Sequence, residues 1–166
     1  MITVVLGNEG IRELQSYLMR QQRLLQEAVF EAEKKIAIKG KEILETIAPT
    51  QDIDGNIAGT ARIEPRKEGY GVAYVGNDVA YIEFGTGYRG ETNPHPNTEA
   101  LQNADWNYDI HEHGQKGWFY RSKRDGTIHH SKGGMEPQKP VFDSYKKTSE
   151  YVKEIVKEVL HEKLGS

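Results

Sequence analysis

The sequence predicts an α+β fold: a small antiparallel β-sheet packed against a long N-terminal helix and a C-terminal helix. Three patterns carry that expectation. Apolar residues recur at helical spacing from Ile11 to Ile47. Two short alternating runs lie close together at residues 61–64 and 70–75, and a second helical period runs from Val141 to Val159. Periods near 3.6 and near 2 in separate stretches are what helices and half-buried strands require.

Residues 2–6 (Ile-Thr-Val-Val-Leu) read as a short strand stopped by Gly7. Asn8 is a candidate N-cap, and Glu9 suits the positive end of the helix that follows. Ile11, Leu14, Leu18, Leu25, Val29, Ala32, Ile36, Ile43 and Ile47 fall, at about 100° per residue, within a stripe about 60° wide. The opposite side is mostly Arg, Glu and Lys, with Ile38 the exception. The helix therefore runs from about 9 to 47 and ends at Pro49. It would be about 58 Å long, whereas a compact domain of this size is roughly 40 Å across. Either it bends, with Gly40 as the kink, or its end overhangs and finds a partner chain.

Residues 50–59 form a turn-rich loop in which Asp54-Gly55 is a strong turn dipeptide. The strands at 61–64 and 70–75 follow, joined by a hairpin connection at 66–69, with Pro65 placing the first near an edge. A third β-like segment, 79–84, leads into a glycine-rich phrase. From 88 to 139 the periodicity weakens. Residues 93–97, with two prolines, cannot be regular structure, and 97–107 offers a helical turn or two. Trp118-Phe119-Tyr120 and Thr127-Ile128-His129 flank Lys123-Arg124-Asp125-Gly126, a β-hairpin pattern. Val141, Tyr145, Val152, Val156 and Val159 mark the last helix, about 140–163, with Pro140 in its first turn. The chain thus reads as a single domain, 1–166, with a loop-rich insertion at about 88–139.

The composition narrows the function. A net charge of −3 and a pI near 6.1 argue against a general nucleic-acid binder, which needs many Lys and Arg contacts to phosphate. Cysteine is absent, so neither a disulfide framework nor thiolate chemistry is available. The N-terminal apolar run is too short for a signal peptide or a membrane span, which places the chain in the cytosol or in a particle assembled there.

The phrase Gly85-Thr86-Gly87-Tyr88-Arg89-Gly90 has the G-x-G-x-x-G spacing of phosphate-binding loops. Such loops open a helix that holds the phosphate, and Pro94 and Pro96 exclude that helix here. The glycines instead read as positions where backbone approaches something closely. His111, Glu112 and His113, with His129 and His130, supply ligand types for zinc, but nothing in a loop-rich stretch sets their geometry. No serine sits in a Gly-x-Ser-x-Gly elbow, and the carboxylates are scattered over helix surfaces. No catalytic residue, cofactor site or metal site is assigned. The hairpin at 116–126 interleaves Lys116, Arg121, Lys123 and Arg124 with Trp118, Phe119 and Tyr120. That mixture serves a protein interface, stacks on nucleic-acid bases, or covers a sheet with its aromatics.

The order of these pieces resembles the tail-completion, or head–tail joining, family of long-tailed bacteriophages. Gly7, Ile11 and Leu14 open a long helix ending in Ala48-Pro49, followed by a turn loop, a β-hairpin and the phrase Tyr81-Ile82-Glu83-Phe84-Gly85-Thr86-Gly87. That phrase is close to the family's Tyr-Val-Glu-aromatic-Gly-Thr-Gly and departs from it upstream, at Asp78 and Val79. Met135 to Val141 corresponds loosely to the family's entry into the last helix. The resemblance covers about 1–87 and 115–163. It implies a non-catalytic structural protein that forms a ring, commonly six-fold, in the neck or tail of a virion assembled in the host cytoplasm. The implied partners are copies of itself, the head connector, and the tail-tube or tail-terminator protein, with DNA only as cargo and no membrane. The expected assembly contacts are the long helix, the loop Gly85, Thr86, Gly87, Tyr88 and Arg89, and the hairpin residues Trp118, Tyr120, Arg121, Lys123 and Arg124. The alternative reading is a nucleic-acid-binding protein that uses the basic aromatic hairpin 116–126.

Overall fold

The computed structural model describes residues 7–48, 59–76, 79–109, 117–122 and 125–165. The expected strand at 2–6 and most of the 50–59 loop lie outside these residues. Helix α1 spans Asn8–Ile47, an unbroken 40 residues. Its cap is Gly7, not Asn8: Gly7 takes the extended conformation and its carbonyl accepts from the Ile11 N–H at 3.1 Å. Asn8 is the first helical residue and no side chain caps this end.

Helix α1 continues without a break through Gly40, which serves a contact between elements. A Cβ there would lie 3.3 Å from Thr148 Oγ1 and 3.3 Å from Val72 Cγ2. The Ser144 hydroxyl donates to the Gly40 carbonyl at 3.0 Å. The last helix, which we number α5, spans Pro140–Leu164 and runs antiparallel to α1. Leu44 meets Val141 at one end, and Ala28 and Ala32 meet Val159 at the other. Lys35 reaches Glu158 and Glu162, both at 3.1 Å, and Lys163 reaches Glu31 at 2.8 Å, along the rim of this contact.

Strands β1 (Thr60–Pro65) and β2 (Tyr70–Val75) form an antiparallel hairpin in which Ala61 faces Tyr74. The Arg66 N–H donates to the Gly69 carbonyl, closing the turn. Ala61 and Tyr74 pack with Leu44 into the main core cluster, with Val72, Val79 and Val141 around it. Burial raises the pKa of the Tyr74 phenol above its ordinary value. This arrangement of long helix, small antiparallel sheet and C-terminal helix is the α+β architecture expected.

The segment at 79–84 is a helix, α2 (Val79–Phe84), and not the third strand. Ile82 and Glu83 are both buried, and Val79 packs on the core. Positions i, i+3 and i+4 share one face of a helix, whereas a strand would send Ile82 and Glu83 to opposite sides. Tertiary burial thus overrides the β-branched and aromatic composition of this stretch. The insertion holds two short helices, α3 (Gly87–Thr92) and α4 (Thr98–Asn103), the second capped by the Asn97 side chain, which accepts from the Ala100 N–H at 3.0 Å. It also holds the expected second hairpin, β3 (Trp118–Arg121) with β4 (Ile128–Ser131).

The apolar stripe of α1 is only partly used. The buried positions of the helix are Ala28, Ala32, Ala37, Gly40 and Leu44, of which Ala32 alone belongs to the stripe, whereas Ile11, Leu14, Leu18, Leu25 and Val29 remain about half exposed. Small residues mark the contact because they let α5 and the hairpin come close. Residues 11–20 are exposed throughout, so the N-terminal part of α1 projects from the body as an arm.

Candidate functional site

The glycine-rich phrase lies at the junction of α2, the insertion and α5. Gly85 and Gly87 are buried and have φ values of +77° and +61°, the left-handed region that glycine enters without strain. A Cβ on Gly85 would lie 2.7 Å from the Met135 carbonyl oxygen. Thr86 and Met135 exchange backbone hydrogen bonds at 2.8 and 3.0 Å. The Gly87 N–H donates to the Tyr108 carbonyl at 2.5 Å, the Arg89 N–H to Gly133 at 2.8 Å, and the Gln138 N–H to Ile82 at 2.8 Å. Two distant parts of the chain, Tyr108 and the run 133–138, are tied to α2 and the turn after it by main-chain bonds.

A short helix does follow within the phosphate-like motif, contrary to the expectation from Pro94 and Pro96. It begins at Gly87, inside the motif, and ends at Thr92, before the first proline. The N–H groups of Gly85, Thr86, Gly87, Arg89 and Gly90 all bond to backbone carbonyls. A phosphate cradle needs those donors turned toward a ligand. Here they are spent inside the chain.

Just before the glycines, Glu83 occupies a position that the sequence reading did not anticipate. Helix α5 has Lys139 at its N-cap with no side-chain cap bond and Pro140 in its first turn, so its opening N–H groups need an acceptor from elsewhere. Glu83 supplies it: Oε2 accepts from the Val141 N–H at 2.8 Å and Oε1 from the Phe142 N–H at 3.0 Å. The carboxylate also sits where the helix dipole favours negative charge. His95 Nε2 lies 3.0 Å from the same Oε1. His95 Nδ1 accepts from the Asn97 N–H at 3.1 Å, so the network assigns the proton to Nε2, which donates to Glu83. The His95 side chain is 2% exposed and is packed edge-on to Phe84 and Phe142, each centroid 5.2 Å away. Trp106 completes this aromatic group against Phe84 and Tyr81, and its indole N–H is the one buried side-chain donor without a partner among the described residues. The legible signal for Glu83 was a helix opening with proline and no Ser, Thr, Asp or Asn before it; His95, between two prolines, carried none.

The other expected contact residues fall into two groups. Gly85 and Gly87 are interior joints and Thr86 is half-buried, while Tyr88 and Arg89 lie on the surface. On the second hairpin, Arg121 is exposed, and so are Phe119 at 73% and Ile128 at 66%. Phe119 stacks on His130 with centroids 4.4 Å apart. Lys123 and Arg124, and the side chains of Trp118 and Tyr120, lie outside the described residues. The turn is held by Asp125, whose carboxylate accepts from the Thr127 N–H at 2.9 Å and its hydroxyl at 2.7 Å. Those bonds, the hydroxyl first, lower the Asp125 pKa to about 2.

An open, largely apolar cleft of about 840 Å³ lies between α1, β2, α2 and α5. Its buried polar groups, Glu83, His95, Ser144 and Thr148, already bond to one another or to the two long helices. Among the described residues no three His, Cys, Asp or Glu side chains gather as a metal site; residues 111–113 lie outside them. No described helix is long and apolar enough to cross a membrane. No protein family, curated protein or solved structure matches this chain.

Proposed function

We propose that this chain is a structural joining protein of a long-tailed phage or prophage, a tail-completion or neck component that binds copies of itself, a head connector and a tail-tube or tail-terminator protein. The observation that carries the reading is the phrase from Tyr81 to Gly87, set between a β-hairpin and a late C-terminal helix. Its chemistry makes sense as architecture: Glu83 caps α5 and the glycines seat the insertion. A projecting helical arm and the exposed Phe119 of the second hairpin suit an assembly role, in which surfaces stay open until a partner arrives. The test is deletion of the gene in the producing phage. Full heads and complete tails that fail to join support the reading; intact infectious virions refute it. The exposed Phe119 beside Arg121 favours one second reading, single-stranded nucleic-acid binding. Salt-sensitive binding to an oligonucleotide, lost in Phe119→Ala, would support that instead.

A further inference from the structure

We infer that the N-terminal arm of α1 is a self-association surface, on which the arm of a second copy of this chain packs antiparallel. This rests on the arm alone, not on the joining role proposed above. Ile11, Leu14, Leu18, Leu25 and Val29 lie on one line of the helix and are 42%, 49%, 55%, 48% and 51% exposed. The line continues into Ala32, which is buried against α5 and the core, so the bare seam is the extension of a packed one. A helix that carries a continuous apolar stripe normally buries it.

The chemistry around the stripe selects the occupant. Arg12, Glu13, Arg20, Arg23 and Glu27 all lie at least about 120° around the helix from it. Its borders are Gln15, Gln21, Gln22 and Gln26, which are neutral. An arm with charged borders would select a partner of opposite charge. Neutral borders leave nothing to repel an identical arm, and the stripe is its own complement. Ile11, Leu14 and Leu18 keep the three- and four-residue spacing of a two-helix seam, and Leu25 follows one heptad after Leu18 with the neutral Gln21 between them.

Direction follows from the body. Val159 of α5 packs on Ala28 and on the stripe residue Ala32, so the body stands beside the C-terminal end of the stripe. A parallel pair would bring both bodies to the same level. An antiparallel pair places the two bodies at opposite ends, overlaps roughly 27 Å of arm, and opposes the two helix dipoles. In that register Leu14 of each copy faces Leu25 of the other, with Leu18 near the two-fold axis. This contact is isologous and closes on itself, unlike a ring contact.

The experiment uses the full chain. Sedimentation equilibrium should give a dimer, and Leu18→Glu should weaken it by roughly 100-fold or more, because it buries an unpaired charge. Arg20→Glu, on the charged back, should leave the dimer intact, and circular dichroism with thermal unfolding shows that each variant remains folded. Since the chain has no cysteine, single-cysteine variants report direction. Leu14→Cys mixed with Leu25→Cys should cross-link on oxidation, while Leu14→Cys alone should not. A wild-type chain still monomeric at roughly 100 μM overturns the inference. So does a dimer indifferent to Leu18→Glu, and cross-linking of Leu14→Cys to itself would replace the antiparallel pair with a parallel one. Loss of the dimer without loss of head–tail joining would separate this inference from the functional reading.

Discussion

Replacing Glu83 with alanine should loosen the start of α5 from the rest of the protein. The change removes the acceptor for the Val141 and Phe142 N–H groups and for His95 Nε2–H, at 2.8, 3.0 and 3.0 Å. Removing a helix cap costs about 1 kcal/mol, and a donor left buried without an acceptor costs about 1–3 kcal/mol. Val141 and Phe142 border the cleft and can recover some hydration, whereas His95, at 2% exposure, cannot. We expect a total near 3 kcal/mol, equivalent to a fall in melting temperature of roughly 6–12 °C for a chain of this size. Glu83→Gln keeps one acceptor oxygen but turns an amide NH₂ toward a donor, and should cost about half as much. Urea denaturation monitored by circular dichroism measures both, and a double-mutant cycle with His95→Ala isolates the coupling between the pair. If Glu83→Ala unfolds within about 0.5 kcal/mol of the wild type, the cap is not what holds α5 in place.

Gly85→Val introduces a Cβ 2.7 Å from the Met135 carbonyl at φ +77°, and should destabilise the chain by about 3 kcal/mol or leave it insoluble. Wild-type melting of that variant would contradict the close approach. Gly40→Ala should change stability by less than about 1 kcal/mol, because helix propensity offsets the 3.3 Å contacts; Gly40→Leu should cost about 2–3 kcal/mol by forcing α5 and β2 outward. Both are read from denaturant midpoints. Because the Asp125 pKa is depressed from 3.8 to about 2, the turn's contribution is fully present above pH 3.8 and disappears as pH falls through 2. Thr127→Val removes the largest cause, so carbon-13 titration should show Asp125 moving back toward 3.8; an unchanged titration would rule out the hydroxyl as the source.

Much of the architecture was legible because it is periodic. The long helix, both hairpins and the last helix follow from spacing and turn residues alone. The face that α1 presents to α5 was legible only at Ala32, since a hydrophobic count favours Leu25 and Val29 while Ala28 and Gly40 make the rest of the contact. Helix α2 was misread for a related reason: Val79, Tyr81 and Ile82 have strand propensity, but burying Ile82 and Glu83 together needs a helix. The local phrase around Gly85 pointed to close backbone approach, which is what its surroundings require. Its partners, Tyr108, Gly133 and Met135, lie 21 or more residues away and left no mark in the sequence. His95 shows the limit most plainly, because its role depends on an acceptor twelve positions earlier and on aromatic rings from α2 and α5.

The main-chain bonds from Thr86, Gly87 and Arg89 to Met135, Tyr108 and Gly133 also bear on how the protein could change. They pin the chain at Tyr108 and again at Gly133, so the stretch between those residues leaves and rejoins the body at two neighbouring points. Lengthening a flexible loop between such points is cheap: each doubling costs only about 0.6 kcal/mol. The Glu83 clamp and the α1–α5 contact lie on the body side of both points. The segment carrying the second hairpin could therefore be exchanged, extended or shortened while the rest of the described fold keeps its shape, which leaves it free to acquire a new partner.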